Sequence, residues 1–449
     1  MNRGVPAPIS RRNILKGIVG AAAAIPAVVL LGGGGASAAK PSLSSRPKAF
    51  RRGGDSVELQ LAYLGDETQQ ASWEALFKAF NESNPEITIK ATGLAAAGWS
   101  DYATTVATQL AGGAEYDIVY MATEGQRLFA SKGVLLPLDD YIGADQDIID
   151  DYYADVDPNL REWTLTYGSP DGQTYYLPGG YNTMVMYCNI EVFEAAGVEL
   201  RDDWTWDEFY EAGVAIKEAT GAFLHPMGSG FTFGQVMPWL LTNGASTLDA
   251  DWANATFNTA EAVAAAEFVK RCIDEELSPV PGGEFDAVAQ LADGNLATLG
   301  GGRWVTGDMR RVELVDKVRI VNWPTQTGNG SPVGWDGWPI MKASKNPDAA
   351  WAFLRWLTSV DASVYYAEIG GTNIPARNSV ANSESFLANA PAGSELLAAA
   401  ISFGTPIPSP ENLPEVDTAI NDGWQAAITG QRDVQDALDE ANDAIQSLL

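Results

Sequence analysis

The stretch Val57–Gly93, VELQLAYLGDETQQASWEALFKAFNESNPEITIKATG, changes its apolar period twice. Val57, Leu59, Leu61 and Tyr63 alternate with other residues, the period of a strand, and run into the polar loop LGDET. Trp73, Leu76, Phe77 and Phe80 then recur at helical spacing, and Pro85 stops them. EITIKATG alternates again. Working outward, WSDYATTVATQLAGG (99–113) is helical up to its glycines, and YDIVYMA (116–122) is a short buried strand. Strand, helix, strand, helix, strand is the order of a parallel α/β sheet, whose ligands sit at the carboxyl ends of the strands. Those ends are residues 64–68 (LGDET) and 122–126 (ATEGQ), both polar and acidic.

A second unit begins around YYLPGGYNTMVMYCN (175–189), where one strand enters a Gly-Gly-Tyr-Asn break and another leaves it, as in a chain passing between lobes. Thr205 opens a helix with Glu208 three positions on, a capping box. AEAVAAAEFVKRCIDE is a further helix, and GNLATLGGGRWV and VRIVNWP read as strands. Residues 346–370 read as a helix pair packing Trp351, Phe353, Leu354 and Trp356, and an amphipathic helix, 433–449, closes the chain. No internal repeat is evident.

Arg11 and Arg12 precede an apolar run, Ile18 to Leu31, and the small-residue site Ala36-Ser37-Ala38. This is the pattern of a twin-arginine signal peptide over 1–38, followed by a basic, Pro/Ser/Gly-rich linker over 39–55. The alternative, an uncut membrane anchor, suits a short Gly-broken run poorly. No cysteine precedes Cys188, so a lipid-anchored N-terminal cysteine is not expected. Cleavage would leave 411 residues, enough for two domains, and move the formal charge from -30 to -34. Such a surface repels nucleic acid and anionic lipid. Cys188 continues an alternating run with Met184 and Met186, so two buried thiols are expected, with a disulfide to Cys272 the alternative. His225 is the sole histidine and follows an apolar Ala-Phe-Leu; no His/Cys cluster supports a metal site or a hydrolase triad. The acid-rich segment 139–159 fits no calcium-loop spacing.

Read in order, these segments resemble the extracellular solute-binding proteins of sugar ABC importers, the family of maltose-binding protein. The resemblance runs from AYLGDETQQASWEALFKAFNESNPEI through YDIVYMATEGQRLFASKGVLLPLDDYI, YNTMVMYCNIEVFEAAGV, WTWDEF and GGRWV. It continues through GWDGWPIMKASKNPDAAWAFLRWL, GGTNIPARNSV and GQRDVQDALDEANDAI. It implies a two-lobe α/β periplasmic-binding-protein fold (type II) of parallel-sheet lobes with three hinge crossings. Lobe 1 would be 56–180 and 334–380, and lobe 2 181–333 and 381–449. It further implies an exported monomer that traps a mono- or oligosaccharide by hinge closure and delivers it to a membrane permease, with no catalytic residues, no cofactor and no metal.

The residues suit that chemistry. A sugar has hydroxyls at its edge and C–H groups on its faces; carboxylates and amides meet the first, and flat indoles the second. GWDGWPIM (334–341) supplies Trp335, Asp336, Gly337 and Trp338, with glycines that admit close backbone approach. The two indoles, three residues apart on an extended chain, point to opposite faces, so one should face the cleft and the other pack. The resemblance adds Trp304 as a stacking residue at the end of a strand, with Arg303 beside it. It also adds Asp66, Glu67 and Glu124 at strand ends and Tyr181 and Asn182 at the first crossing. GFTFGQ, whose spacing departs from the maltose-binding pattern, offers Phe231, Phe233 and Gln235 from a second-lobe loop, and GGTNIPAR offers Thr372 and Asn373. Two alternatives stay open: a secreted glycoside hydrolase or lyase, which also pairs carboxylates in an aromatic cleft, and a binder of a cationic nutrient such as a polyamine.

Overall fold

A computed structural model describes residues 56–65, 67–283 and 285–449, with the backbone alone at 67–69. The expected leader and linker, Asp66 and the side chain of Glu67 lie outside the described residues. In the first lobe, β1 (Val57–Leu64) lies between β2 (Ile87–Leu94) and β3 (Ile118–Val119), all parallel. The alternation of the opening stretch places side chains on both faces of β1. Leu59, Leu61 and Tyr63 join Trp73, Leu76, Phe77 and Phe80 of the helix Glu67–Ser83 in one core; Ala62 and Leu64 join Tyr102 and Val106 of the helix Trp99–Ala111 in another.

The expected strand 116–122 breaks at Tyr120. β3 belongs to the first-lobe sheet, and β4 (Met121–Ala122) pairs instead with β9 (Ser331–Gly337). The sheet that β4 joins is built from the crossings. β5 (Pro178–Asn182) pairs antiparallel with β9 (Ser331–Gly337) and with β10 (Ile374–Pro375), and β11 (Gly404–Pro406) runs parallel to β9. β6 (Val185–Asn189) follows β5 after two residues and enters the second lobe between β7 (Thr298–Gly301) and β8 (Val318–Val321), antiparallel to both. One second-lobe core packs Met184, just before β6, and Met186 and Cys188 of β6 with the helices Trp206–Thr220, Ala260–Asp274, Leu413–Ile428 and Val434–Leu448.

Local signals hold where they are chemical. The Thr205–Glu208 capping box forms, both cysteines are free and buried, and His225 is buried with Nδ1 3.0 Å from Thr298 Oγ1. In the acid-rich segment, Asp151 and Asp155 hold the buried Arg377 at 2.8 and 3.2 Å. Two expectations need correction. Gly179–Asn182, expected as a break between strands, is itself part of β5, and the interruption falls at Thr183 and Met184. GGRWV is not strand to its end: β7 stops at Gly301, and Trp304 opens the helix Trp304–Arg311. The chain turns at Gly302 with the Trp304 ring folded over it; a Cβ on Gly302 would lie 2.3 Å from that ring.

Trp335 and Trp338 take different environments, as alternation on β9 requires. Trp338, just past the strand, is 4% exposed in the first-lobe core, with ring centroids 5.2 Å from Trp73, 5.7 Å from Phe353 and 4.3 Å from Tyr120. Trp338→Ala should therefore cost about 3–5 kcal/mol of stability, read as a fall in the urea midpoint at unchanged slope.

Candidate functional site

The carboxyl ends of the first-lobe strands, the crossings and two elements of the second lobe surround one cavity of about 220 Å3. Trp99 and Tyr120 form a wall on the first-lobe side, ring centroids 5.3 Å apart and edge to face. Opposite, Trp304 stands edge-on to Phe231 at 6.3 Å and lies 6.2 Å from Phe233. The last two come from a wide helical turn, Thr232–Val236, and the residue before it. Phe231 is 44% exposed at the rim, an apolar ring left in water where a ligand would cover it.

The polar floor comes from the crossings. Asn182, Asp336, Thr372 and Asn373 border the cavity with Tyr181 and Trp335. These groups are already bonded to protein. Trp335 donates its ring N–H to Gln126 Oε1 at 2.9 Å and its backbone N–H to Thr123 Oγ1 at 2.7 Å, and the Tyr181 hydroxyl reaches the Ala398 carbonyl at 3.4 Å. Asp336 accepts from Tyr120, Asn373 and Gly180. Burial pushes its carboxyl up to about 7, against those bonds.

Glu124 differs. It sits in the first turn of the helix Thr123–Ser131, half-buried, and among the described residues its carboxylate takes no hydrogen bond from another side chain. Burial pushes it up to about 7, with Asp417 adding to the rise and a bond from its own backbone opposing it. Beyond Glu124 the cleft continues as a second space of about 340 Å3, past Trp99 and Phe231 to Asp101, Thr232 and Asp417. There the helices Trp99–Ala111 and Leu413–Ile428 meet, and Ser131 Oγ donates to Glu411 Oε1 at 2.5 Å. The lobes thus touch across the mouth.

Of the candidates from sequence, Glu124, Tyr181, Asn182, Phe231, Phe233, Trp304, Trp335, Asp336, Thr372 and Asn373 border the one cavity. Four do not. Trp338 is first-lobe core, and Gly337 packs on Tyr176, whose ring a Cβ would meet at 2.9 Å. Gln235 turns back against Gly228, where a Cβ would lie 3.0 Å from its Nε2. Arg303 is 1% exposed; its Nη2 donates to the Phe386 carbonyl at 2.8 Å and its guanidinium lies 4.1 Å over the Phe386 ring. Burial lowers its pKa to about 10. A cation buried in that way is not available to a ligand.

Sequence reasoning missed Leu64, Gly98, Trp99, Tyr120, Ala122 and Gly334. Trp99 carried a signal: it follows Gly98 just past the carboxyl end of β2, a ligand-facing position in an α/β sheet. The sequence pattern places Tyr120 in a strand interior, and only the break between β3 and β4 turns it to the cleft.

Residues 65–363 match the family model of bacterial extracellular solute-binding proteins. The chain is 25% identical over 202 residues to the lactose-binding protein of Rhizobium radiobacter, covering 43% of this chain and 48% of that one. It is 26% identical over 232 residues to the arabinooligosaccharide-binding protein of Halalkalibacterium halodurans, covering 49% of each. The chain therefore spans about half the length of these curated relatives. In three dimensions it superposes on an ABC substrate-binding protein of Listeria monocytogenes in complex with cycloalternan, with TM-score 0.75 and 20% identity over 88% of this chain and 99% of that one. At that identity the likeness speaks for the fold.

Glu124 yields a pH prediction. Its pKa in the fold, about 7, lies above its ordinary 4.5, so the native state holds the proton more tightly. The stability that it lends is complete below about pH 4.5 and is lost as pH rises through 7. Urea unfolding of the parent and of Glu124→Gln between pH 5 and 8 should show the parent losing stability relative to the variant, by at most about 3 kcal/mol.

Proposed function

The chain belongs to the bacterial extracellular solute-binding protein family, and we propose that it captures a neutral mono- or oligosaccharide between its two lobes and hands it to an ABC permease. The single observation that carries this is the cavity itself. Aromatic faces from both lobes, Trp99 and Tyr120 on one side and Trp304 with Phe231 and Phe233 on the other, flank Glu124, whose carboxylate takes no hydrogen bond from another side chain among the described residues. Flat rings match the C–H faces of a pyranose or furanose, and a carboxylate accepts from its hydroxyls. Relatives that bind lactose and arabinooligosaccharides support the same class. The division into lobe 1 (56–180, 334–380) and lobe 2 (181–333, 381–449), export through the twin-arginine leader, action as a monomer and binding without turnover are parts of this proposal.

An acidic, aromatic cleft also suits a cationic nutrient, and Asp101 and Asp417 beside Glu124 favour that second reading. A thermal-shift screen over neutral sugars, polyols and polyamines separates the two, since a ligand at a hundredfold its dissociation constant adds about 2.7 kcal/mol of stability. A rise with sugars alone is expected; a rise with polyamines alone would replace the first reading by the second.

Trp304 is half-buried at the cavity wall rather than in the core. Trp304→Ala should weaken binding of the sugar found in that screen at least tenfold by calorimetry, while lowering stability by less than the roughly 3–5 kcal/mol of a buried Trp→Ala change.

A further inference from the structure

One hydrogen-bonded chain runs from the second lobe, through all three crossings, to the first lobe. The Arg303 backbone N–H, just before the helix that carries Trp304, donates to Asn182 Oδ1 at 2.9 Å. Asn182 Nδ2 donates to Asn373 Oδ1 at 2.9 Å and to the Thr372 carbonyl at 3.3 Å. Asn373 Nδ2 donates to the Tyr120 hydroxyl at 2.7 Å and to Asp336. Tyr120 in turn donates to Asp336 Oδ2 at 2.8 Å, and the Gly180 N–H donates to Oδ1 at 3.0 Å. Asn182 and Gly180 stand on the first crossing, Asp336 on the second and Asn373 on the third; Tyr120 directly follows the first-lobe strand β3.

We infer that Asp336 is the positioning residue of the hinge, its carboxylate gathering the three crossings and so fixing how the Trp304 side of the cleft faces the Trp99–Tyr120 wall. This rests on the two-lobe capture proposed above. Both carboxylate oxygens are taken by protein donors, which leaves Asp336 poorly placed to receive a ligand hydroxyl although it borders the cavity. Its surroundings are built for it. A Cβ on Gly179 would lie 2.4 Å from Oδ1, and one on Gly180 would lie 2.8 Å from the Ile374 carbonyl on the third crossing. Among the described residues no Lys or Arg pairs with it. An unpaired buried carboxylate costs stability unless donors converge on it, and here the donors come from segments distant in sequence. A neutral Asn at 336 would offer one acceptor oxygen and turn an N–H₂ towards groups that themselves donate.

The test reads lobe orientation in the free full chain. Cys188 and Cys272 are buried, so spin labels on Lys132→Cys and Glu415→Cys, both exposed and on either side of the mouth, report the distance between lobes by pulsed electron resonance. In that background Asp336→Ala should broaden the distance distribution at least twofold, Asp336→Asn should broaden it less, and Tyr120→Phe and Asn373→Ala, each removing one donor, should broaden it in the same sense. Urea unfolding is run in parallel. A distribution unchanged in every folded variant, with only the urea midpoint lowered, would overturn the inference and leave Asp336 as a polar core residue. Should Asp336→Ala fail to fold, Tyr120→Phe and Asn373→Ala decide. No sugar enters the experiment, so failure of the sugar screen and failure of the hinge assignment are separate results.

Discussion

A buried carboxylate without a cation organises this molecule. Asp336 sits where the chain passes between lobes for the second time, 5% exposed, and its charge is met by an N–H of the first crossing, an amide of the third and a first-lobe hydroxyl. Desolvating a carboxylate costs several kcal/mol, and hydrogen bonds to a charged acceptor return about 1.5–3 kcal/mol each. The balance is favourable only if all the donors arrive together, which ties the three crossings to one geometry. Gly179 follows from the same constraint, because no side chain fits beside that carboxylate, and Gly180 from the Ile374 carbonyl of the third crossing.

The cleft inherits its character from this junction. With the floor groups bonded to one another, the recognition proposed above falls to aromatic faces and to Glu124. Arg303, the cation nearest in sequence to the cleft-lining Trp304, is turned into the protein and stacked on Phe386. What remains around the space is acidic or neutral: Glu124, Asp101 and Asp417. A phosphate or carboxylate ligand would meet repulsion there, whereas hydroxyls find acceptors and C–H faces find rings. The large formal negative charge of the whole chain points the same way but acts at long range, where salt screens it.

The two tryptophans of GWDGW show how one short segment serves two environments. An extended chain sends side chains three apart to opposite faces. Trp338 thus completes the first-lobe core with Trp73, Phe77 and Phe353, while Trp335 packs beneath the cavity, its ring N–H held by Gln126. Trp335 is also buried, at 1%, so the exposed stacking surface comes from Trp304 and Trp99 instead.

The sequence by itself determined the elements and much of the cleft. Periods of two and 3.6 located the first-lobe strands and helices because side-chain spacing is a local property. The capping box at Thr205 and the helix stops were equally legible, since each depends on neighbours in sequence. Asp336 stood out between two glycine-flanked tryptophans, whereas Glu124, Trp304 and Asn182 came from the resemblance to a family. Tertiary structure alone decided which way those side chains face. Arg303 and Trp304 are adjacent and diverge, one into the core and one to the cleft, because a helix begins at Trp304. Tyr120 reaches the cleft only because β3 and β4 join different sheets. That Asp336 accepts from Gly180, 156 residues earlier, and from Asn373, 37 later, is a long-range pairing that no local period encodes; it exists only when three crossings close into one sheet.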